Sequence, residues 1–370
     1  MLAALIIQHL PGGSHPAHRH HGERRAAASS QLAIHPARPD GIHGPTAPWS
    51  AGLRLPVGGA RPSWLYPATG RMTPIGGLQP SRSDYVFTRV EGGWAVQPGA
   101  GASPRCAGCA ARPLPVYFLG DHARSARIVG LANRVAPAAR TGAVWLTSYQ
   151  ASPHGAAGAT GFAQEFSAAG TPLGPRLRLP AGYTIDVATD RGLLLAAVSP
   201  DGQGPAYALW NPVTRQVTRR FSAVIAASSR QIAWTPRCAA RCGVRVLDLA
   251  SGLTTRVSLP AAASAGRGAF SPDGSLLALS VSIGNGGDGG AAAIQLEVAS
   301  VSGGRLAVVP GTWASSDALS GFGWPADGDS LVAELSFMTK VQVASWHPGS
   351  SRLAVVVVAP REKPNDLVVG

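Results

Sequence analysis

The stretch AFSPDGSLLALS at residues 269–280 holds the end of one apolar strand, a tight Ser-Pro-Asp-Gly turn and the start of a second strand. Pro272 presets φ for the second position of a type I turn, Asp273 suits the third, and Gly274 can take the positive φ that sends the chain back antiparallel. Counterparts recur at Glu91-Gly92-Gly93, Arg140-Thr141-Gly142, Asp190-Arg191-Gly192, Ser228-Ser229-Arg230 and Ala326-Asp327-Gly328-Asp329, each followed by an apolar strand. Those strands begin near Trp94, Ala143, Leu193, Gln231, Ser275 and Ser330, at spacings of 49, 50, 38, 44 and 55 residues. Such a beat is the period of four-stranded propeller blades.

A second hairpin follows half a period later, in YALWNPVTRQVTRR (207–220), VRVLDLASGLTTRV (244–257), LEVASVSGGRLAVV (296–309) and VASWHPGSSRLAVV (343–356). SWLYPATGRMTPI (63–75) matches it but has no complete inner hairpin of its own. The expected fold is therefore all-β, a propeller of four-stranded antiparallel blades. Six complete blades span residues 82–358, and a seventh is closed by joining residues 52–75 to the C-terminal DLVVG segment, with a six-bladed ring as the alternative. Joining both chain ends in one blade removes exposed sheet edges. A single propeller domain is expected over 46–370, after a leader over 1–45 whose His, Pro, Ala and Arg content lacks the apolar periodicity needed for burial.

The FSPDG phrase followed by an apolar strand resembles the WD-like repeats of TolB-type propellers, with FGWPADGDSLVA as a looser second copy. The resemblance spans roughly residues 60–370 and implies a bacterial extracytoplasmic propeller serving as a protein-binding platform. Its matching positions are turn and packing residues, so it transfers no site.

Composition fits this architecture: 45% of residues are hydrophobic and only 14% charged, as stacked blades with inner strands buried on both sides require. No apolar run approaches the ~20 residues of a membrane helix, so no transmembrane span is expected. The net charge of +13 comes from 32 basic residues of which only Lys340 and Lys363 are lysine, the bias of a GC-rich genome. Arginine is scattered, with no run longer than Arg24-Arg25 or Arg219-Arg220, which argues against a nucleic-acid partner. MLAALIIQHL lacks the charged n-region and Ala-x-Ala site of a secretory signal.

The cysteines point outside the cytoplasm. Cys106-x-x-Cys109 and Cys238-x-x-x-Cys242 each fall between the second and third strands of a blade, and two local disulfides are expected. A four-cysteine zinc site would have to bridge blades on opposite sides of the ring with bonds of about 2.3 Å, so no metal is assigned to them. The leader histidines His15, His18, His20 and His21 could touch a metal but lack the supporting shell that fixes one. Gly284-Asn285-Gly286-Gly287-Asp288-Gly289-Gly290 contains a literal G-x-G-x-x-G, yet a strand rather than a helix follows it, and no dinucleotide is expected. No cofactor is assigned.

No nucleophile elbow, P-loop or H-E-x-x-H motif is present. The reading is a non-enzymatic propeller binding a protein or envelope ligand, with a hydrolase or lyase using the central channel as the alternative. Carboxylates clustered in the channel with perturbed pKa values would favour the enzyme. The longest connections, 98–113, 150–160 and 282–291, should emerge on one face, and His154, Asp201, Asp288 and Asp317 are the candidate ligand contacts there.

Overall fold

A computed structural model describes residues 46–358 except 60, 80, 82, 100–111, 151–159, 198–205, 237–242, 261–262, 284–292, 304–305, 316–318, 326 and 337–340. The described residues form six four-stranded antiparallel sheets and one three-stranded sheet, with no helix among them. Each sheet is a meander in which sequence neighbours pair, so each is a blade. Blades one to six begin with the strands Tyr85–Val90, Arg134–Pro137, Tyr183–Thr189, Val224–Ala227, Ala263–Phe270 and Leu319–Gly323. The seventh blade consists of Leu55–Val57, Ser63–Tyr66 and Arg71–Pro74. The DLVVG segment expected to complete it lies outside the described residues.

Seven buried apolar clusters prove the ring, because each one joins two successive blades. Trp64 of blade seven packs with Phe87, Trp94 and Tyr117 of blade one. Val90 and Val116 of blade one meet Val144 and Leu146 of blade two. The series continues through Trp145 with Trp210, Phe221 with Trp234, Val246 with Leu279, and Leu296 with Trp346. Leu55, Val57 and Leu65 of blade seven close the circuit on Val332 and Val343 of blade six. Tryptophans of second and third strands thus serve blade packing.

Strand periodicity explains how one segment feeds two interfaces. In Gly192–Ala197, Leu193 and Leu195 face blade two while Leu194 faces blade four. A strand buried on both sides reads as an unbroken apolar run rather than an alternation. Each fully buried leucine contributes about 1.5–3 kcal/mol.

First strands lie against one another between blades one and two, two and three, four and five, and five and six, lining the ring centre. Fourth strands form the rim, and Gln216–Phe221 and Thr254–Val257 are exposed along all but their last residue. The rim carries Arg71, Arg127, Arg178, Arg219, Arg220 and Arg256, all exposed. Charges on an outer strand discourage edge-to-edge pairing between molecules, and this placement distributes the basic charge around the ring instead of concentrating it.

The Ser-Pro-Asp-Gly turn adopts its expected form. The Gly274 amide donates to the Ser271 carbonyl at 2.8 Å, and Gly274 has φ +75°. Asp273 accepts from the Ser275 amide at 3.0 Å and the Ser275 hydroxyl at 2.7 Å. Hydrogen bonds from Ser271 and then Ser275 hold its carboxyl below the usual range. A Cβ on Gly274 would sit 2.9 Å from Gln231 Oε1 of blade four, the tip of a flexible side chain, so it is the positive φ that favours glycine here.

Candidate functional site: a bulged channel wall

The first strands are not equivalent. In blades one and two they pair with their second strands without interruption. In blades three, four, five and six the register slips by one residue, between Ile185 and Val187, Val224 and Ala226, Ala265 and Gly268, and Leu319 and Gly321. Asp186, Ile225, the Gly266-Arg267 pair and Ser320 fall at these slips. A bulge frees one residue from the ladder and re-aims its side chain. The bulges of blades three, four and five line a single cavity of about 350 Å³, together with Tyr207, Val224 and Ala226–Ala227 on one side and Gly268 on the other.

Sequence chemistry builds the blade-five wall. In Ala263–Phe270, the two residues Gly266 and Arg267 stand opposite the single residue Ser280. The Arg267 amide donates to Ser280 Oγ at 2.8 Å, and that hydroxyl donates to the Arg267 carbonyl at 3.2 Å. One serine thereby replaces both ladder partners the bulge removes. Gly268 is held at close quarters: a Cβ there would lie 3.1 Å from the Ala278 carbonyl and 3.2 Å from Ala226 Cβ across the blade boundary. Trp324 of blade six donates its indole N–H to the Ala269 carbonyl at 3.1 Å, bracing the same strand from behind.

Asp186 supplies the charge on the blade-three side. Its carboxyl reaches solvent, yet the protein walls around it remove enough water to raise its pKa above the usual aspartate value. No basic side chain among the described residues pairs with it. Tyr207, which opens the third strand of blade three, is raised first by desolvation and then by the Asp186 charge. The residues lining the cavity thus include an aspartate, a tyrosine and an arginine, and its surface is mainly polar.

Tyr207 directly follows the connection between strands two and three of its blade, on the face predicted to carry recognition, while Asp186 is the middle residue of Tyr183–Thr189 and Gly266–Gly268 lie within Ala263–Phe270. His154, Asp201, Asp288 and Asp317 all lie outside the described residues, as do Cys106, Cys109, Cys238 and Cys242. The flanking strands confirm that both cysteine pairs belong to connections between strands two and three, in blades one and four. Sequence reasoning missed Asp186, Tyr207 and Arg267. Two signals were available: a lone acid inside the apolar strand YTIDVAT, and a Gly-Arg-Gly step inside a strand, which marks a bulge.

No protein-family model matches the chain, and no curated protein does. Solved structures similar to it include TolB from Acinetobacter baumannii, at 9% identity and TM-score 0.44, covering 86% of this chain and 65% of that one. A protein from Lactobacillus plantarum matches at 11% identity and TM-score 0.46 over 85% of this chain and 98% of that one. A prolyl endopeptidase structure matches at 14% identity and TM-score 0.53 over 87% of this chain. This chain spans about half of that endopeptidase, 51%, and less than two thirds of the Acinetobacter TolB. At such identities the likeness is one of fold. The chain is a seven-bladed β-propeller whose structural neighbours include TolB.

Proposed function

We propose that this protein is a non-enzymatic binding propeller that takes its ligand on the face where strands two and three connect, with the cavity between blades three, four and five as the seat. The observation that carries the reading is the convergence of three successive bulges on one cavity. Each bulge forfeits ladder pairing, and bulges concentrate where a side chain must be re-aimed next to a site. A cavity of about 350 Å³ is at the small end of the range for ligand pockets. A protein or envelope component seated on that face would cover it.

The hydrolase or lyase reading has one supporting observation, the raised pKa of Asp186. A raised pKa makes a carboxyl hold its proton more tightly than a free aspartate does, the direction a general acid needs. The described cavity wall presents one carboxylate rather than the cluster that acid–base chemistry on a glycan requires, so binding is the stronger reading.

The test is a crosslinked pull-down of the tagged full chain from its native host, run beside Arg267→Glu, which reverses the charge on the cavity wall without touching the core. Retention of a partner by the parent protein and its loss by the variant supports the reading. Equal retention by both places recognition elsewhere.

Action outside the cytoplasm is part of the same proposal and rests on the cysteine pairs, each confined to one connection of one blade. Protein from its natural host, denatured and alkylated, should show no free thiols, with peptides linking Cys106 to Cys109 and Cys238 to Cys242. Four alkylatable thiols in freshly quenched material would assign it to a reducing compartment.

A further inference from the structure

Asp186 and Arg267 carry opposite charges on the wall of one cavity, yet no ion pair joins them, and neither pairs with any other described side chain. Their backbones explain the separation. Asp186 is fixed by the blade-three bulge and Arg267 by the blade-five bulge, with the first strand of blade four between them. Arg267 is further pinned through both its backbone polar groups by Ser280, and its flanking glycines leave no side chain competing with its own.

An aspartate and an arginine that line one space without forming an ion pair ask for a ligand that carries both complements. From this geometry we infer that the cavity binds a small zwitterion of amino-acid or dipeptide size, its ammonium on Asp186 and its carboxylate on Arg267. The inference deepens the binding reading above and rests on it. Arginine suits the carboxylate role because its planar fork offers two parallel donors. Tyr207, beside Asp186, adds a phenol that can accept from the ammonium. A carboxyl whose charge is disfavoured by desolvation gains most from a cation placed against it, and the volume of about 350 Å³ admits such a ligand but not a folded domain. The two short spacings, amino acid and dipeptide, differ only in the span between their charges, so affinity reports the separation of the two anchors.

The experiment is calorimetric titration of the purified full chain with four probes: L-leucine, glycyl-L-leucine, N-acetyl-L-leucine, which lacks the cation, and isoamylamine, which lacks the anion. One of the two zwitterions should bind at least tenfold more tightly than either half-ligand. Asp186→Asn should weaken the zwitterion and isoamylamine by tenfold or more and leave N-acetyl-leucine unchanged, while Arg267→Gln should do the converse. Identical melting temperatures for the two variants and the parent protein exclude misfolding as the cause. Absence of binding by both zwitterions, or half-ligands equal to them, overturns the inference. If a protein partner is still retained in the pull-down, the zwitterion alone falls. If that retention is also absent, the binding reading falls with it.

Discussion

Blade one and blade five solve the burial of charge in opposite ways. In blade one, Arg89 forms a two-pronged ion pair with Asp121, whose side chains are 21% and 17% exposed, with the second contact, Nη2 to Oδ2, at 3.0 Å. Arg89 also lies 4.9 Å from the ring centre of Trp94, and Arg54 of blade seven donates its Nε to the Asp121 carbonyl at 3.0 Å while stacking 4.3 Å over Trp64. Every charge there has a partner, and the network ties the seventh blade to the first. In blade five, Glu297 is 2% exposed and Gln295 fully buried, both facing the apolar wall of blade four. Neither amide atom of Gln295 and not Oε2 of Glu297 has a hydrogen-bond partner. The difference shows where the ring is sealed and where it carries polar groups that packing alone does not require.

The largest expected effect falls at the sealed side. Asp121→Ala leaves Arg89 partly buried without its carboxylate, and loss of hydrogen bonds to a charged group costs about 1.5–3 kcal/mol each. Chemical denaturation should show the variant less stable by about 2–3 kcal/mol. A loss below half of that would mean solvent takes over the pairing of Arg89, since the bond from Arg54 of blade seven to the residue-121 backbone carbonyl survives the substitution.

On the bulged side, Ser280→Ala should cost about 1–2 kcal/mol, because it strips the Arg267 amide and carbonyl of their shared partner. The alanine fits the space, so a stability equal to that of the parent would show that the bulge pairs with water instead. Equilibrium unfolding in urea distinguishes the two.

The ring was legible in sequence because its signals are local and repeated. The Ser271–Gly274 turn and its five counterparts lie between first and second strands, and the strands after them begin within one residue of their expected starts. GLLLAA could be assigned to a strand without knowing what it packs on. The cavity was not legible for the opposite reason. Asp186 is part of it only because a register slip turns it out of the ladder, and Arg267 meets the same space only because an entire blade intervenes at the right angle. Such relations depend on pairing between strands, which a single strand's sequence does not record. The loop candidates His154, Asp201, Asp288 and Asp317 followed from connection length alone and lie outside the described residues.

Glu297 sharpens the comparison through pH. Burial raises its pKa, so the folded state holds its proton more tightly than the unfolded one. That difference does not penalise folding at pH below the ordinary glutamate range; the penalty grows as pH rises and is complete above the raised value. Glu297→Gln removes the ionisation and should stabilise the protein at pH 8 while leaving it unchanged at pH 3.5. Parallel stability curves for the two proteins across that range would mean that Glu297 finds a partner on folding.

Asp186 should give the smallest effect on stability, and the sign of that effect separates the two regions most cleanly. Its pKa is raised by desolvation, as Glu297's is, but Asp186 is exposed to solvent, so the penalty is screened. Asp186→Asn should therefore leave the melting temperature unchanged at pH 4 and raise it slightly, or not at all, at pH 8, the reverse of what Asp121→Ala does at blade one. A carboxylate whose removal never destabilises the fold, placed on a cavity wall and unpaired among the described residues, is retained for something other than folding. A clear drop in melting temperature for Asp186→Asn at pH 8 would instead make it a structural acid, pairing where the blade-three bulge presents it, and would remove the difference between the sealed and the open side of the ring.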